Sequence, residues 1–203
     1  MNKFIVFEGI DGSGKTTQIK LLQEKFNTRN VEYNLFREPG GNLLSEKVRS
    51  ILLDNEIEIS NISETMLFLA ARSQLIFEQI KPALYKGDFV ICDRFTDSTF
   101  AYQGCGKKVD LDMIRILNDF AIDSVKPYLT ILLDISYEKS LIRRGDKPDR
   151  MENNTKDFFN DVRLGYKQLA DESPKKYLVI DATISVEEIH DLIWDRISKD
   201  FSL

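Results

Sequence analysis

The amino-acid sequence predicts an α/β protein with a five-stranded parallel sheet flanked by helices. Five short apolar runs, at 4–7, 31–36, 89–92, 129–133 and 177–180, have strand length. Most are continuous rather than alternating, as expected of strands buried on both faces of a parallel sheet. Segments of helical spacing separate them, which gives repeated β-α units. The first run passes directly into a glycine-rich loop and then a helix.

The first strand, Lys3-Phe4-Ile5-Val6-Phe7-Glu8, is followed by Gly9-Ile10-Asp11-Gly12-Ser13-Gly14-Lys15-Thr16. Gly9, Gly14, Lys15 and Thr16 stand at the spacing of a phosphate-binding loop. Glycines let successive backbone N–H groups turn inward onto an anion, and the following helix adds its free N–H groups and positive dipole end. Residues 17–26 place Ile19, Leu22 and Phe26 on one face. The segment from Gly9 to Thr17 is therefore the expected cradle of a nucleoside triphosphate. Lys15 can reach its outer phosphates, and the Thr16 hydroxyl can ligate Mg²⁺.

The second strand runs into Arg37-Glu38-Pro39-Gly40-Gly41. Residues 63–85 form a helix apolar nearly all round, with Met66, Leu67, Phe68, Leu69, Ala70, Ala71, Leu75, Ile76 and Ile80. Such a helix is buried within the protein or against a partner chain. The third strand ends at Asp93-Arg94 and the fourth at Asp134. A basic, Gly- and Pro-broken segment at about 143–152 reads as a lid, whose arginines could close over a transferring phosphoryl group. Residues 155–173 carry Phe158, Phe159, Val162, Tyr166, Leu169 and Ala170 on one stripe. The fifth strand ends at Asp181-Ala182-Thr183, and the last helix opens with Ser185 and Glu188 in capping-box spacing, with Val186, Ile189, Ile193 and Ile197 on its core face. Without repeats or linkers, residues 1–203 read as one domain.

Ligands of such sheets sit beyond the carboxyl ends of the strands. Arg37 and Arg94 would project there, either to fork onto the phosphate of a second substrate or to pair with Glu38 and Asp93. Asp93 is preferred over Asp134 as the acidic group near Mg²⁺, because of its arginine neighbour. Asp11, inside the loop, would repel phosphate unless metal or arginine intervened, so it is expected to orient one of these.

Composition excludes several classes. With 42% hydrophobic and 30% charged residues and a net charge of −5, a broad nucleic-acid surface is not expected. No run is long enough to span a membrane, and the first strand begins too early to leave room for a signal peptide. Cys92 and Cys105 have neither metal-ligand nor disulfide spacing, which suits a reduced, cytoplasmic setting. His190 reads as a surface residue and Trp194 as a packing anchor. No nucleophile is paired with a histidine for covalent catalysis.

Taken together, the chain resembles the thymidylate kinase family over essentially its whole length. The matching segments are Glu8 to Thr17, Arg37-Glu38-Pro39-Gly40-Gly41, Phe68-Leu69-Ala70-Ala71-Arg72, Asp93-Arg94, Ser98-Thr99, Ala101-Tyr102-Gln103-Gly104 and Asp149-Arg150-Met151-Glu152. The resemblance implies the P-loop nucleoside monophosphate kinase fold and transfer of the γ-phosphoryl of ATP to thymidine monophosphate with Mg²⁺, held by Thr16 and Asp93. It implies that Phe68 stacks on the thymine, Arg72 hydrogen-bonds its edge, Thr99 and Gln103 add base contacts, and Tyr102 lies against the sugar. Arg37 and Arg94 would hold the monophosphate, with Asp11 near the sugar hydroxyl. Glu38, Pro39, Ser98, Asp149 and Glu152 would complete the acceptor site, and Arg150 and Ala182 would serve ATP. Gly12 stands where some members carry a loop arginine, so the chain resembles the lid-arginine type, with Arg143, Arg144 and Arg150 as candidates and Arg144 favoured. It also implies a homodimer. A kinase for another nucleoside monophosphate, or a nucleotide-dependent switch, is the alternative reading.

Overall fold

The computed structural model describes residues 2–143, 150–151 and 154–203. Its sheet contains β1 (Phe4–Glu8), β2 (Tyr33–Arg37), β3 (Phe89–Asp93), β4 (Leu129–Asp134) and β5 (Tyr177–Asp181). All pairings are parallel, in the order β2-β3-β1-β4-β5. The first strand is thus central, with the phosphate loop leaving its carboxyl end at the place where the strand order reverses. A switch point of this kind opens a crevice for ligands. The register brings Phe7 and Arg37 each opposite Asp93, which gathers the rim residues of three strands.

The continuous apolar runs have the expected cause. On β1, Ile5 and Phe7 enter one buried cluster with Ile19, Leu22 and Phe26, while Phe4 and Val6 enter another with Leu75, Ile76, Val90 and Cys92. Both faces of the strand are covered, so neither can be polar. Each predicted strand is present, displaced by at most two residues at its start and extended by one at its end. The extension admits Glu8, Arg37, Asp93, Asp134 and Asp181, polar residues at the carboxyl ends of the strands, of which Arg37 and Asp93 line the crevice.

The helices are α1 (Lys15–Thr28), α2 (Leu43–Leu53), α3 (Asn61–Leu75), α4 (Lys81–Lys86), α5 (Thr96–Thr99), α6 (Leu111–Ile122), α7 (Tyr137–Arg143), α8 (Lys156–Glu172) and α9 (Val186–Phe201). Local capping sets several starts: Ser60 accepts from Ser63 N–H, Thr155 from Phe158 N–H, and Ser185 forms the full capping box with Glu188. The single helix expected over 63–85 is α3 and α4 joined by a π-helical stretch, Ile76–Ile80. It is not buried all round. Leu69, Ala71, Leu75, Ile76 and Ile80 are buried, whereas Ile62 is 65%, Met66 48% and Phe77 73% exposed. Val186, expected on the core face of α9, is exposed, and Ile189, Ile193 and Ile197 supply that face. Trp194 packs edge-on against Phe26, as a packing anchor does.

Candidate active site

The loop after β1 wraps a cavity of about 660 Å³. Its wall runs from Asp11 through Gln18 and includes Arg37, Glu38, Arg49, Asp93, Arg94 and Arg143, with Ile184, Val186 and Ile189 on the far side. Gly9 has φ +136°, and a Cβ there would lie 2.6 Å from the Leu133 carbonyl oxygen, so glycine is required for β1 to turn beside β4. Gly9 and Ile10 do not line the cavity. Their carbonyls frame it from behind, accepting hydrogen bonds from Lys15 Nζ at 2.9 and 3.3 Å. Burial, and then the charge of Arg94, lowers the Lys15 pKa, while Asp11, Asp93 and Glu8 oppose the shift.

Polar atoms without partners concentrate here. Among the described residues, six buried side-chain polar atoms lack a hydrogen bond. Four of them, Ser13 Oγ, Gln18 Oε1, Glu38 Oε1 and Asp93 Oδ1, belong to residues lining this cavity. Such atoms are costly unless a ligand or ordered water completes them. Thr16 and Asp93 share the wall, so a hydroxyl and an unsatisfied carboxylate oxygen are available to a hard cation. Asp134 is not available, since both of its oxygens accept from Arg163, at 2.5 and 2.8 Å.

A second cavity, of about 100 Å³, lies alongside. It is lined by Pro39, Leu53, Phe68, Ser98, Tyr102, Gln103 and Met151, and by four residues that also line the first cavity: Asp11, Glu38, Arg49 and Arg94. The partition between the two is therefore built of two carboxylates and two guanidinium groups. Arg94, with φ +73°, reaches into this partition. Its Nη2 donates to Asp11 Oδ1 at 2.7 Å, and its Nη1 to Gly9 O, Ser98 Oγ and Tyr166 OH at 3.0–3.2 Å. Arg37 forks onto Glu46 at 3.1 Å and is half exposed. Beneath Arg94, the buried Glu8 carboxyl is pushed up to about 7, by burial first and then by the charge of Asp97.

Several residues stand elsewhere than the sequence suggested. Arg72 was expected to read a base edge, but it is 2% exposed and does not line the second cavity. Its Nε donates to Glu38 Oε2, its Nη1 to Thr99 Oγ1 and Asn118 Oδ1, and its Nη2 to Phe95 O. Nη2 also lies 2.7 Å from Glu38 Oε2, so every guanidinium nitrogen is held by the protein. Thr99, expected at the base, is 1% exposed and spends its hydroxyl on Arg72. Arg150, expected on the triphosphate side, lines neither cavity; its Nε donates to Leu52 O and its Nη2 pairs with Glu64 Oε2, both at 2.6 Å. Ala182 is fully buried and does not line the cavity; its carbonyl accepts from Arg143, which does. Arg144, Asp149 and Glu152 lie outside the described residues.

Arg49, Ile184, Tyr166 and Glu64 have places here that sequence reasoning missed. Arg49 donates to Pro39 O from α2, three residues after Glu46, so one helical face carries both. Buried Glu64 is held below its usual pKa. Burial opposes that shift, and hydrogen bonds from Lys107, Gln103 and Arg150 outweigh it. Gln103, expected at the base, donates to Glu64 at 2.9 Å and still lines the second cavity.

A family model described as Thymidylate kinase matches residues 7–193. The chain is 45% identical over 202 residues to a thymidylate kinase of Kosmotoga olearia, covering 98% of this chain and 95% of that one. It is 43% identical over 192 residues to a thymidylate kinase of Caldanaerobacter subterraneus subsp. tengcongensis, covering 94% and 92% of the two chains. Among solved structures, thymidylate kinase from Ehrlichia chaffeensis superposes with a TM-score of 0.79 at 36% identity, covering 96% of this chain and 97% of that chain.

Proposed function

The chain belongs to the thymidylate kinase family, and from that premise we propose that it transfers the γ-phosphoryl group of ATP to thymidine monophosphate, giving the diphosphate used in dTTP synthesis. One observation carries this reading: the phosphate-loop cavity and the smaller cavity beside it share a partition made of Asp11, Glu38, Arg49 and Arg94. A donor in the first and an acceptor in the second would meet across that partition, where in-line transfer needs positioned positive charge.

The residues divide the work by position. Backbone N–H groups from Gly12 to Thr17 would cradle the ATP phosphates, and Ile184 and Val186 offer an apolar wall to its base. Lys15 would exchange the Gly9 and Ile10 carbonyls for phosphate oxygens. Arg94 and Arg49 would hold the acceptor phosphate from the partition, and Arg37 would join them by leaving its exposed pairing with Glu46. Asp11 would hold Arg94 in place. Phe68 would stack on the thymine, with Pro39, Tyr102 and Gln103 enclosing base and sugar. Arg143, on the wall of the larger cavity, and Arg144 are the lid candidates for neutralising charge on the transferring group. Thr16 and Asp93 would hold Mg²⁺, which when bound neutralises the outer phosphates. Arg72 supports the acceptor pocket by clamping Glu38 and Thr99.

The chain would work as one domain in a cytoplasmic setting, and among the described residues no helix is long and apolar enough to cross a membrane. The exposed apolar side chains of α3 and α6, Ile62, Met66, Met113 and Phe120, fit burial against a second copy. ADP release with ATP and Mg²⁺, measured with a panel of nucleoside monophosphates, tests the main reading. Strong stimulation by thymidine monophosphate and little by ribonucleotides is the expected result. Stimulation by a different monophosphate would overturn the pocket assignment.

A further inference from the structure

We infer that Glu8 and Tyr166 are positioning residues for Arg94: Glu8 draws the hydroxyl hydrogens of Tyr166 and Ser98 toward itself, so that both oxygens face the Arg94 guanidinium with lone pairs. The inference rests on the proposed contact of Arg94 with the acceptor phosphate.

The geometry leaves little freedom. Glu8 ends β1 and is fully buried. Its Oε1 accepts the backbone N–H groups of Phe95 and Ser98, at 2.8 and 3.2 Å. Its Oε2 accepts from Ser98 Oγ at 2.7 Å and from Tyr166 OH at 2.9 Å. The two hydroxyl oxygens are themselves 2.8 Å apart. Each hydroxyl owns one hydrogen, and the Glu8 carboxyl, ionised above about pH 7, then only accepts. Two hydrogens thus serve three contacts within the Ser98, Tyr166 and Glu8 triangle. Whichever contact goes without, both hydrogens stay inside the triangle and each oxygen keeps a lone pair outward. Arg94 Nη1 lies 3.2 Å from each of those oxygens. The guanidinium is therefore held from below by two oriented acceptors, while Asp11 and Gly9 O hold it from the side of the phosphate loop.

Replacing the carboxylate by its amide reverses the arrangement without changing its shape. The two backbone N–H groups keep an oxygen at the Oε1 position. The amide nitrogen then falls at Oε2 and donates to Ser98 and Tyr166; one hydroxyl hydrogen can still fill the contact between those two oxygens, and the other is turned outward, toward Arg94. Tyr166→Phe removes one acceptor and keeps the ring packed edge-on to Tyr102.

The test is steady-state kinetics on Glu8→Gln and Tyr166→Phe, with an NMR measurement on the ligand-free protein. Both variants are expected to raise KM for thymidine monophosphate about 5- to 30-fold, the scale of a lost hydrogen bond to a charged group, with KM for ATP changed less than about twofold. Because both act through Arg94, their effects in the double variant should fall well short of multiplying. In the free protein, the Arg94 guanidinium N–H signals, slow to exchange position in the wild type, should average in both variants. A merely structural role would lower thermal stability and leave acceptor KM and these signals as in the wild type, which would overturn the inference. An equal rise in both KM values would also overturn it. If thymidine monophosphate fails to stimulate the wild type, the proposed function fails instead, and unchanged Arg94 signals in the variants then refute the positioning role independently.

Discussion

Arg72→Met separates a structural clamp from a base-reading side chain. Arg72 and Glu38 are 2% and 6% exposed, and the guanidinium joins Glu38, Thr99, Asn118 and the Phe95 carbonyl. Glu38 Oε1 already lacks a partner, so removing the guanidinium leaves a buried carboxylate with none of its Arg72 hydrogen bonds. Breaking a buried pair from one side costs about 3–5 kcal/mol. For a chain of this size each kcal/mol moves the melting temperature by about 2–4 °C, so a fall of about 6–20 °C is expected.

The pH dependence of the loss gives a second signature. Burial raises the Glu38 pKa and Arg72 opposes that rise, so without Arg72 the carboxyl is pushed higher still. A group with a raised folded-state pKa is tolerated below its unfolded pKa and costs stability as pH rises through the folded value. The deficit of the variant should thus grow as pH rises from the acid side. Arg72→Met combined with Glu38→Leu removes both charges and should recover most of the loss. Calorimetry and acceptor kinetics on the same samples decide the matter. A melting temperature within about 2 °C of wild type together with a large rise in KM for thymidine monophosphate would refute the clamp and restore the direct base contact.

Lys15→Ala should lower turnover by at least about 10²-fold at saturating substrates with little change in stability, as read by ADP release and calorimetry. Asp93→Asn should raise the Mg²⁺ concentration needed for half-maximal rate, whereas Asp134→Asn, whose carboxylate serves Arg163, should leave it unchanged. Burial, and then the charge of Asp97, raise the pKa of Glu8. Its folded pKa of about 7 stands above the ordinary 4.5, so its contribution to stability is present below about pH 4.5 and is lost as pH rises through about 7. That shift corresponds to about 3 kcal/mol, and urea midpoints of Glu8→Gln should show a correspondingly smaller decline across this window.

The sheet was legible because burial on both faces leaves a continuous apolar run, and the phosphate loop because Gly9, Gly14, Lys15 and Thr16 must keep their spacing. Helical spacing also found α8 and the capping box of α9, but it could not say which faces of α3 would be covered. Met66 and Phe77 look the same in sequence whether they meet a core or solvent. Arg37 and Arg94 were legible from their place at the strand ends, and the rest of the proposed acceptor site only through family resemblance. Nothing local marks Arg49 as a neighbour of Pro39, or Tyr166 as a neighbour of a residue 158 positions earlier. Arg72 shows the limit of reading a residue type, because a guanidinium one helical turn from Phe68 suits a ligand and a buried clamp equally well.

Burial sorts the arginines near the two cavities into different tasks. Arg37 and Glu46 have side-chain exposures of 51% and 45%, Arg94 and Asp11 of 16% and 32%, and Arg72 and Glu38 of 2% and 4%. An exposed pair is worth at most about 1 kcal/mol, so a phosphate can take Arg37 from Glu46 at small cost. Separating Arg72 from Glu38 would leave a charge in the interior, and no single hydrogen bond to a base offsets that. Arg94 lies between these limits. It is buried enough for its contacts to be strong, and its partners Asp11, Ser98 and Tyr102 line the second cavity, the proposed acceptor site. A phosphate bound there would meet a cation whose direction is already set, so less ordering would remain to be done as the acceptor binds.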